Sequence, residues 1–356
     1  MLTLTVSVTE VQSFKRCRRQ WDYGSFNRQA LTPIVQPKPY LDLGTLVHKT
    51  LAYWTQKPDL GQKPDGTDRT LREVFLALAV QHRTAVISKH VAATGREPTS
   101  EELDPLIDAI TLGAAMMDNY QTYYGVPLPP RLRFCAPEQE LLIPIPGTEH
   151  PCGDCSNRPG MRSFPCTSCD STGIRLHMLK ARLDALAMDR RDNLYIVERK
   201  TYEKRPDLAL LEATDQFIGY MWCAQQLARA MPNQPRVIGL AYDGLWKRAT
   251  PPTRPKRLEI ADLFVRTIIT PAQDEVEEYG RELAQTVMDM ANSPRIYKNR
   301  VWQGCWDCSF EHLCRTQSQD GDVQFVLSNM FTKRTEEDAS EIVAAVDTQP
   351  TPIGVN

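Results

Sequence analysis

One short segment constrains the fold more than any other part of the chain. Residues 193–201 read Asn-Leu-Tyr-Ile-Val-Glu-Arg-Lys-Thr. With the two-residue period of a strand, Glu198 and Lys200 share one face and Arg199 lies on the other. Both faces begin with apolar residues, which is typical of a central strand that is covered on both sides. Charged side chains near the core are costly unless they are paired or bind a ligand, so the segment predicts a charged site at one strand end.

A second acid is predicted beside this strand. Asp184 stands alone among small and apolar residues in Ala-Arg-Leu-Asp-Ala-Leu, within the preceding predicted strand. Asp184, Glu198 and Lys200 together predict a site for Mg²⁺ or Mn²⁺ and a phosphate. The carboxylates would hold the metal, the metal would activate water, and the lysine would orient that water or stabilise the pentavalent phosphate. On these three residues alone, the alternative interpretation is a structural ion pair at the end of a sheet.

The order of predicted elements indicates a mixed α/β fold. Helices come first, strands follow, and a later helix crosses to another strand, which favours a mixed sheet flanked by helices. Helices are predicted after a capping box at Ser7–Glu10 and at 44–56, 70–89, 101–124, 208–231 and 271–292. Strands are predicted at 138–145, 174–188, 193–201, 236–245 and 258–269.

Composition limits the class of protein. The chain has 356 residues, ten cysteines and a net charge of −2, which suits about two domains and excludes a globally basic, histone-like protein. No apolar stretch approaches the ~18 residues that cross a membrane, and the N-terminus lacks a secretory pattern. We therefore expect a cytoplasmic protein without membrane contact. Residues 320–356 hold seven acids against Lys333 and Arg334, which predicts a flexible acidic tail.

Four cysteines form a pattern that is typical of structural zinc. Cys152 and Cys155 make one C-x-x-C pair, and Cys166 and Cys169 make a second pair after ten intervening residues. Each pair can supply two thiolates from a tight turn, so that the four close a tetrahedron around Zn²⁺. The intervening residues are too polar to form a core, so the metal would stabilise this insertion at 150–173.

A second cysteine set ends the predicted folded part. Cys305, Cys308 and Cys314 provide three ligands, and a structural metal would need a fourth from elsewhere. Cys17 lies in a predicted helix among cations that favour the thiolate. The spacing is compatible both with zinc and with an iron–sulphur cluster. The other candidates are His312 and two cysteines whose apolar neighbours predict core positions, Cys135 and Cys223.

The acidic site resembles the active site of PD-(D/E)XK nucleases, specifically of their RecB-like branch. Asp184 and the Glu198–Lys200 strand match the motif that names this superfamily. Residues 43–48, Leu-Gly-Thr-Leu-Val-His, are similar to the Gly-x-x-x-His motif of the branch, which implies that His48 is a metal ligand. Gln216 and Tyr220 match its Gln-x-x-x-Tyr helix motif, which implies that they support the site and contact DNA.

The second cysteine set extends the resemblance over most of the chain. Cys17 followed by the Cys305–Cys314 group is similar to the one-plus-three arrangement that holds a [4Fe–4S] cluster in the AddB and CRISPR-adaptation exonucleases. The matching motifs reach from residue 7 to residue 318. Two features depart from the pattern: Ala181 stands where the family often has glycine, and the insertion at 150–173 is not a standard part.

The resemblance implies a restriction-endonuclease-like α/β fold with a mixed central sheet flanked by helices, and the zinc knuckle predicted from the cysteine spacing is inserted into it. It further implies a metal-dependent deoxyribonuclease, an exonuclease on DNA ends or single strands, in which Mg²⁺ or Mn²⁺ is bound by His48, Asp184, Glu198 and the Arg199 carbonyl. Alternatives are a non-cutting DNA-binding or recombination accessory subunit, and an RNA-processing nuclease. No helicase P-loop is present, so unwinding would need a helicase or a recombination or adaptation partner.

This interpretation divides the chain into consecutive regions. We expect an N-terminal helical region at 1–130, a nuclease core at 131–295, an iron–sulphur segment at 296–319 and the acidic tail at 320–356. Basic and aromatic residues near Cys17 are predicted to line a DNA channel by phosphate contact and base stacking. These residues are Lys15, Arg16, Arg18, Arg19, Trp21, Tyr23 and Phe26.

Overall fold

The chain divides into two compact units in a computed structural model. The first unit comprises Met1–Gln36, Pro151–Gly173 and Thr286–Asn356, and the second comprises Pro37–His150 and Ile174–Gln285. Each unit combines segments that are distant in the sequence. The predicted division of the chain into four consecutive regions therefore stays a prediction. The structure describes residues 3–34, 39–56, 68–125, 131–156, 166–169, 172–212, 214–253, 257–293, 295–300, 305–306 and 308–334.

The described residues form both helices and strands. The strands are β1 (Thr5–Ser7), β2 (Leu31–Pro33), β3 (Arg133–Pro144), β4 (His150–Pro151), β5 (Ile174–Arg175), β6 (Met178–Met188), β7 (Leu194–Tyr202), β8 (Val237–Trp246), β9 (Phe264–Ile269) and β10 (Phe331–Lys333). The helices are α1 (Val8–Arg16), α2 (Arg18–Gly24), α3 (Pro39–Gln56), α4 (Leu71–Thr94), α5 (Ser100–Tyr124), α6 (Gly153–Ser156), α7 (Leu208–Glu212), α8 (Asp215–Ala230), α9 (Gln273–Asn292), α10 (Glu311–Ser318) and α11 (Val323–Met330).

The second unit is built around strand β7. Strand β6 pairs with it antiparallel on one side, and β8 pairs with it parallel on the other. Strand β3 extends the sheet beyond β6, and β9 extends it beyond β8, both antiparallel. Helix α8 lies in the connection between the parallel strands β7 and β8, as such a crossover requires. Helices α3 and α8 both contact β7, which confirms the predicted mixed sheet flanked by helices.

Burial of β7 explains why this strand has apolar residues on both faces. Leu194, Ile196 and Val197 are buried, and so are the charged residues Glu198 and Arg199. Helices α3, α4 and α5 supply most of one core cluster, which also includes Leu245 and residues just before and within β9. The charged end of β7 is therefore held inside a packed core.

Three predicted elements of the second unit are interrupted. The helix predicted at 208–231 divides into α7 and α8, because the Thr214 hydroxyl donates to the Leu211 carbonyl and ends the first segment. The strand predicted at 174–188 is broken between β5 and β6. The strand predicted at 258–269 begins with a 3₁₀ turn at Ile260–Leu263, capped by reciprocal hydrogen bonds between Glu259 and Asp262.

The first unit joins segments from both ends of the chain. Strand β2 pairs antiparallel with β10. A core cluster contains Tyr23 and Leu31 from the N-terminal segment with Phe310, Leu313, Val326 and Phe331. The tail predicted to be flexible from residue 320 thus begins with the helix α11 and the strand β10, and residues 335–356 lie outside the described residues.

The first predicted helix is divided at Cys17. The Ser7 hydroxyl accepts the Glu10 N–H at 3.1 Å, as the capping box predicts, whereas the Glu10 carboxylate accepts the Trp21 indole N–H at 3.1 Å. Cys17 has an extended backbone between α1 and α2, so its predicted helical position is wrong. Helices α1 and α2 contribute to a common core, in which the Phe14 and Trp21 rings are in edge contact. Trp21 on α2 therefore continues the apolar spacing that begins in α1.

Within the described residues, no helix combines the length and apolar character that crossing a membrane requires.

Candidate active site and cysteine clusters

Asp184 on β6 and Glu198 on β7 lie at the same end of the segment over which the two strands pair. Each lies one residue beyond Ala185 and Val197, which are the last residues paired between β6 and β7. Lys200 Nζ lies 2.7 Å from Glu198 Oε1. The Glu198 side chain is 3% exposed and that of Lys200 is 37% exposed, so the lysine connects a buried carboxylate with the solvent.

Helix α3 brings His48 to this strand end. His48 Nδ1 lies 3.4 Å from Asp184 Oδ1. One turn earlier on the same helix face, a Cβ atom at Gly44 would lie 3.3 Å from Thr201 Oγ1. A side chain there would be tight against β7, so glycine permits the close approach of the helix. The Gly-x-x-x-His spacing therefore has a direct structural basis.

Helix α8 supplies the two residues of the Gln-x-x-x-Tyr motif. The Gln216 side-chain amide donates to the Tyr220 hydroxyl at 3.0 Å, one helical turn away. Burial raises the pKa of Tyr220 to about 12, and the negative charge of Glu198 adds to the rise. Helix α8 contacts β6 and β7, the strands that carry the two carboxylates.

The two carboxyl groups have opposite pKa shifts. Burial raises the pKa of Glu198 to about 7, and the charge of Asp184 contributes to the rise against the opposing effect of Lys200. Burial also opposes ionisation of Asp184, but the charges and hydrogen bonds of His48 and Arg199 outweigh it and lower the pKa to about 2. For Lys200, burial lowers the pKa, yet the Glu198 charge outweighs this effect and the pKa is raised.

This donor set fits a divalent cation. Carboxylate oxygens are the ligands that Mg²⁺ and Mn²⁺ prefer, and a neutral imidazole is a common metal ligand. A bound divalent cation would favour the ionised form of Glu198 and so offset the cost of its burial. The structure places His48, Asp184, Glu198, Arg199, Lys200, Gln216 and Tyr220 in this region, while their roles stay predictions.

The comparison with known families agrees with this geometry. A family model of the PD-(D/E)XK nuclease superfamily matches residues 5–315. This chain belongs to that superfamily. Nucleases of this superfamily use Mg²⁺ or Mn²⁺. The chain is therefore a nuclease with a divalent metal site.

The nuclease has only a distant similarity to the solved structure described next. The chain is similar to the solved structure described as "Crystal structure of SSO0001", with 15% sequence identity and a TM-score of 0.33. That similarity covers 88% of this chain and 87% of the other. No curated protein matches the nuclease.

The four cysteines of the insertion form a compact cluster in the first unit of the nuclease. Their Sγ atoms all lie within 4.8 Å of one another. Among the described residues, no other group of three or more His, Cys, Asp or Glu side chains has its ligand atoms this close together. Cys152 and Cys166 are 4.0 Å apart, and Cys155 and Cys169 are 3.3 Å apart. Four thiolates around one Zn²⁺ with 2.3 Å bonds would be about 3.8 Å apart. The Gly173 N–H also donates to Cys169 Sγ at 3.3 Å, so the cluster is compatible with the predicted zinc knuckle.

The second cysteine set lines one cavity of about 800 Å³ in the first unit, here called the cysteine cavity. Cys17 enters it from the break between α1 and α2, and its Sγ accepts the Asn299 N–H at 3.5 Å. Cys305, Cys308 and Cys314 line the same cavity. Burial raises the pKa of the Cys308 and Cys314 thiols, and the charges of Cys17 and Cys305 contribute to both shifts. The four thiols thus line one cavity but are more widely spaced than the insertion cysteines, since among the described residues only the latter form a group within 4.8 Å.

The other two cysteines considered as a fourth ligand differ in their exposure to solvent. Cys223 is buried as predicted, whereas Cys135 is exposed. The register between β3 and β6 shifts between Phe134 and Ala136. Cys135 lies in this bulge, which turns it out of the regular alternation, so the core position predicted for Cys135 is wrong.

The aromatic residues at the surface agree only in part with those expected, since Phe26 is exposed as predicted. Trp21 and Tyr23 are buried, so neither ring presents an exposed face for base stacking, although Tyr23 lines the cysteine cavity. Trp306 is 83% exposed at the cysteine cavity, and Tyr297 is 55% exposed beneath the Arg18 guanidinium. Neither residue was among the predicted DNA contacts, although Trp306 lies between Cys305 and Cys308. The cations that line the cysteine cavity are Arg19, Lys298, Arg300 and Arg315.

Proposed function

We propose that the nuclease is a RecB-like deoxyribonuclease that degrades DNA from ends or single strands. The observation that supports this most is the contact of His48 with Asp184 beside the Glu198–Lys200 ion pair. The neighbouring Gln216–Tyr220 hydrogen bond adds the third motif of that branch. A helicase or a recombination or adaptation partner would supply any unwinding of duplex DNA.

Each residue has a distinct part in the proposed mechanism. His48, Asp184, Glu198 and the Arg199 carbonyl would hold Mg²⁺ or Mn²⁺, which supplies charge stabilisation at the phosphate and acidifies a bound water. Lys200 keeps its proton next to Glu198, so its positive charge can orient the attacking water and stabilise the pentavalent phosphate. Tyr220 stays neutral because its pKa is raised, and its hydroxyl can donate a hydrogen bond to DNA.

We assign a different metal cofactor to each of the two cysteine sets. Zinc fits the compact insertion cluster, whose sulphur spacing matches a single ion. A [4Fe–4S] cluster fits the cysteine cavity, which is lined by four thiols at wider spacing and by cations that favour thiolates. This cluster would join α1 and α2 to the segment around α10.

End-labelled substrates test the proposed function. Purified protein is incubated with linear single-stranded DNA, linear duplex DNA, circular single-stranded DNA and RNA, each with Mg²⁺, Mn²⁺ or EDTA. We expect metal-dependent shortening of linear DNA, resistance of the circle and no cleavage in EDTA. Cleavage of the circle would contradict the exonuclease mode, and preferential cleavage of RNA would favour the RNA-processing alternative. Binding of DNA without cleavage under any condition would favour the accessory subunit.

Trp306 is expected to contribute to DNA affinity. Stacking of a base on an exposed aromatic ring is worth about 1–3 kcal/mol, so Trp306→Ala should weaken binding of single-stranded DNA about tenfold. Trp306→Phe is the matched control and should retain most of the affinity. Fluorescence anisotropy in EDTA measures binding without cleavage, and visible absorbance checks that the cluster is retained. Unchanged affinity of Trp306→Ala would remove the cysteine cavity from the DNA-contacting surface.

A further inference from the structure

Arg199, the middle residue of the Glu-x-Lys segment, has its side chain buried inside the second unit. Arg199 is 1% exposed, and its Nη2 donates to Thr55 Oγ1 on α3. Its Nε and Nη1 atoms have no hydrogen-bond partner within the described part of the chain. An apolar side chain of similar volume would avoid the cost of burying this charge. Core filling alone therefore does not account for an arginine here.

Thr55 lies on the same face of α3 as His48. Gly44, His48 and Thr55 follow one another at intervals of four and seven residues, which places them in one stripe along the helix. This stripe faces β6 and β7, so His48 lies between two points at which the helix is held against the sheet. The contacts along the stripe are Gly44 with Thr201, His48 with Asp184, and Thr55 with Arg199.

The backbone of Arg199 acts on the same carboxylate that His48 contacts. Its N–H donates to Asp184 Oδ2 at 2.7 Å, while His48 Nδ1 lies 3.4 Å from Asp184 Oδ1. Arg199 thus orients the Asp184 carboxylate with its backbone and holds the helix that carries His48 with its side chain. Both members of the His48–Asp184 pair depend on one residue.

A buried acid lies next to Arg199 on β8. Asp243 is the parallel neighbour of Arg199 and is buried. Its carboxylate accepts hydrogen bonds from Tyr120 and from Arg266. Because Arg266 already pairs with Asp243 at 3.1 Å, Asp243 offsets the charge of Arg199 only in part, and the Arg199 Nη2 hydrogen bond goes to Thr55.

We propose that Arg199, through its hydrogen bond to Thr55, is a positioning residue that holds His48 against Asp184 for binding of the divalent metal. The inference rests on the proposed function of this site, because it concerns the metal that His48 and Asp184 would share. It adds a residue pair whose side chains do not themselves touch the metal.

Mn²⁺ binding to DNA-free protein tests this role. Arg199→Met would remove a positive charge next to the buried Asp243 and could therefore fail to fold. The primary variant is Thr55→Val, which keeps the branched shape of the side chain and removes the hydroxyl. Thr55→Ser keeps the hydroxyl and is the matched control. Titration calorimetry with Mn²⁺ should show an affinity about tenfold weaker for Thr55→Val, and within about twofold of wild type for Thr55→Ser. Thermal melting of the same samples reports stability separately.

A double-mutant cycle identifies the route of the effect. If Thr55 acts through His48, adding Thr55→Val to His48→Ala should cause no further loss of Mn²⁺ affinity. Wild-type affinity in Thr55→Val, even with a lower melting temperature, would overturn the inference and leave the proposed function standing. An equal loss in the His48→Ala background would also overturn it. Wild-type protein that does not bind Mn²⁺ would instead contradict the proposed function, and with it the inference.

Discussion

Replacing Lys200 with alanine is expected to lower the cleavage rate at least about a thousandfold while DNA binding and folding stay close to wild type. The lysine charge acts on the phosphate only as negative charge develops there, so its removal should affect the rate far more than the affinity. Asp184→Asn, which keeps the shape of the side chain, should cause a loss of similar size because it removes a ligand of the catalytic metal. Single-turnover cleavage of end-labelled DNA in Mg²⁺ measures the rate.

A lysine on the neighbouring strand provides the control. Lys180 on β6 is similarly exposed and pairs with Glu140 at 3.0 Å, so Lys180→Ala removes the same charge from the same sheet without touching the strand end. It should cleave at nearly the wild-type rate. Undiminished cleavage by both Lys200→Ala and Asp184→Asn would show that the reaction occurs elsewhere.

Replacing Cys305 with serine is expected to give colourless protein and a melting temperature lower by at least about 5 °C. Anaerobically purified wild type should be brown and contain about four iron atoms and four sulphides per chain, with one zinc. The variant should lose the iron because one of the four thiols of the cysteine cavity is missing. Loss of the cluster removes the tie between the segments that it joins, which is the reason for the lower stability. Metal analysis, visible absorbance and thermal melting measure these effects.

Two further serine substitutions separate the metal sites. Cys155→Ser should remove the zinc and leave the brown colour, because it affects the insertion cluster alone. Cys135→Ser changes an exposed cysteine outside both sets and should retain both metals. Colourless wild-type protein with two zinc atoms per chain would show that the cysteine cavity holds zinc instead of iron.

Much of the active site could be predicted because its chemistry is encoded locally. The charged end of β7 follows a run that is apolar on both faces, and a period of two places Glu198 and Lys200 together. The Gly44–His48 spacing is one helical turn, so it too is readable within a single element. The predicted fold class is confirmed for the same reason, since apolar periodicity marks most of the sheet and its helices.

The features that could not be predicted depend on contacts between distant segments. Thr55 and Arg199 are separated by many residues, and nothing in either local pattern indicates that they meet. The break at Cys17 is hidden because α1 and α2 contribute to one core and keep a common apolar spacing across it. The exposure of Cys135 depends on a bulge, and the bulge depends on pairing between β3 and β6.

The pairing of β2 with β10 has a consequence for biosynthesis. Every residue of the second unit, through Gln285, is translated before Cys305 and before Phe331, the first residue of β10. Folding on the ribosome generally proceeds from the N-terminus, yet Leu31–Pro33 must wait for a strand that is made roughly three hundred residues later. Cys17 must likewise wait for Cys314, so delivery of iron and sulphide to the nascent polypeptide would find only one of the four thiols. If the cysteine cavity holds the proposed cluster, its assembly is therefore a late event that waits for the translation of Cys314.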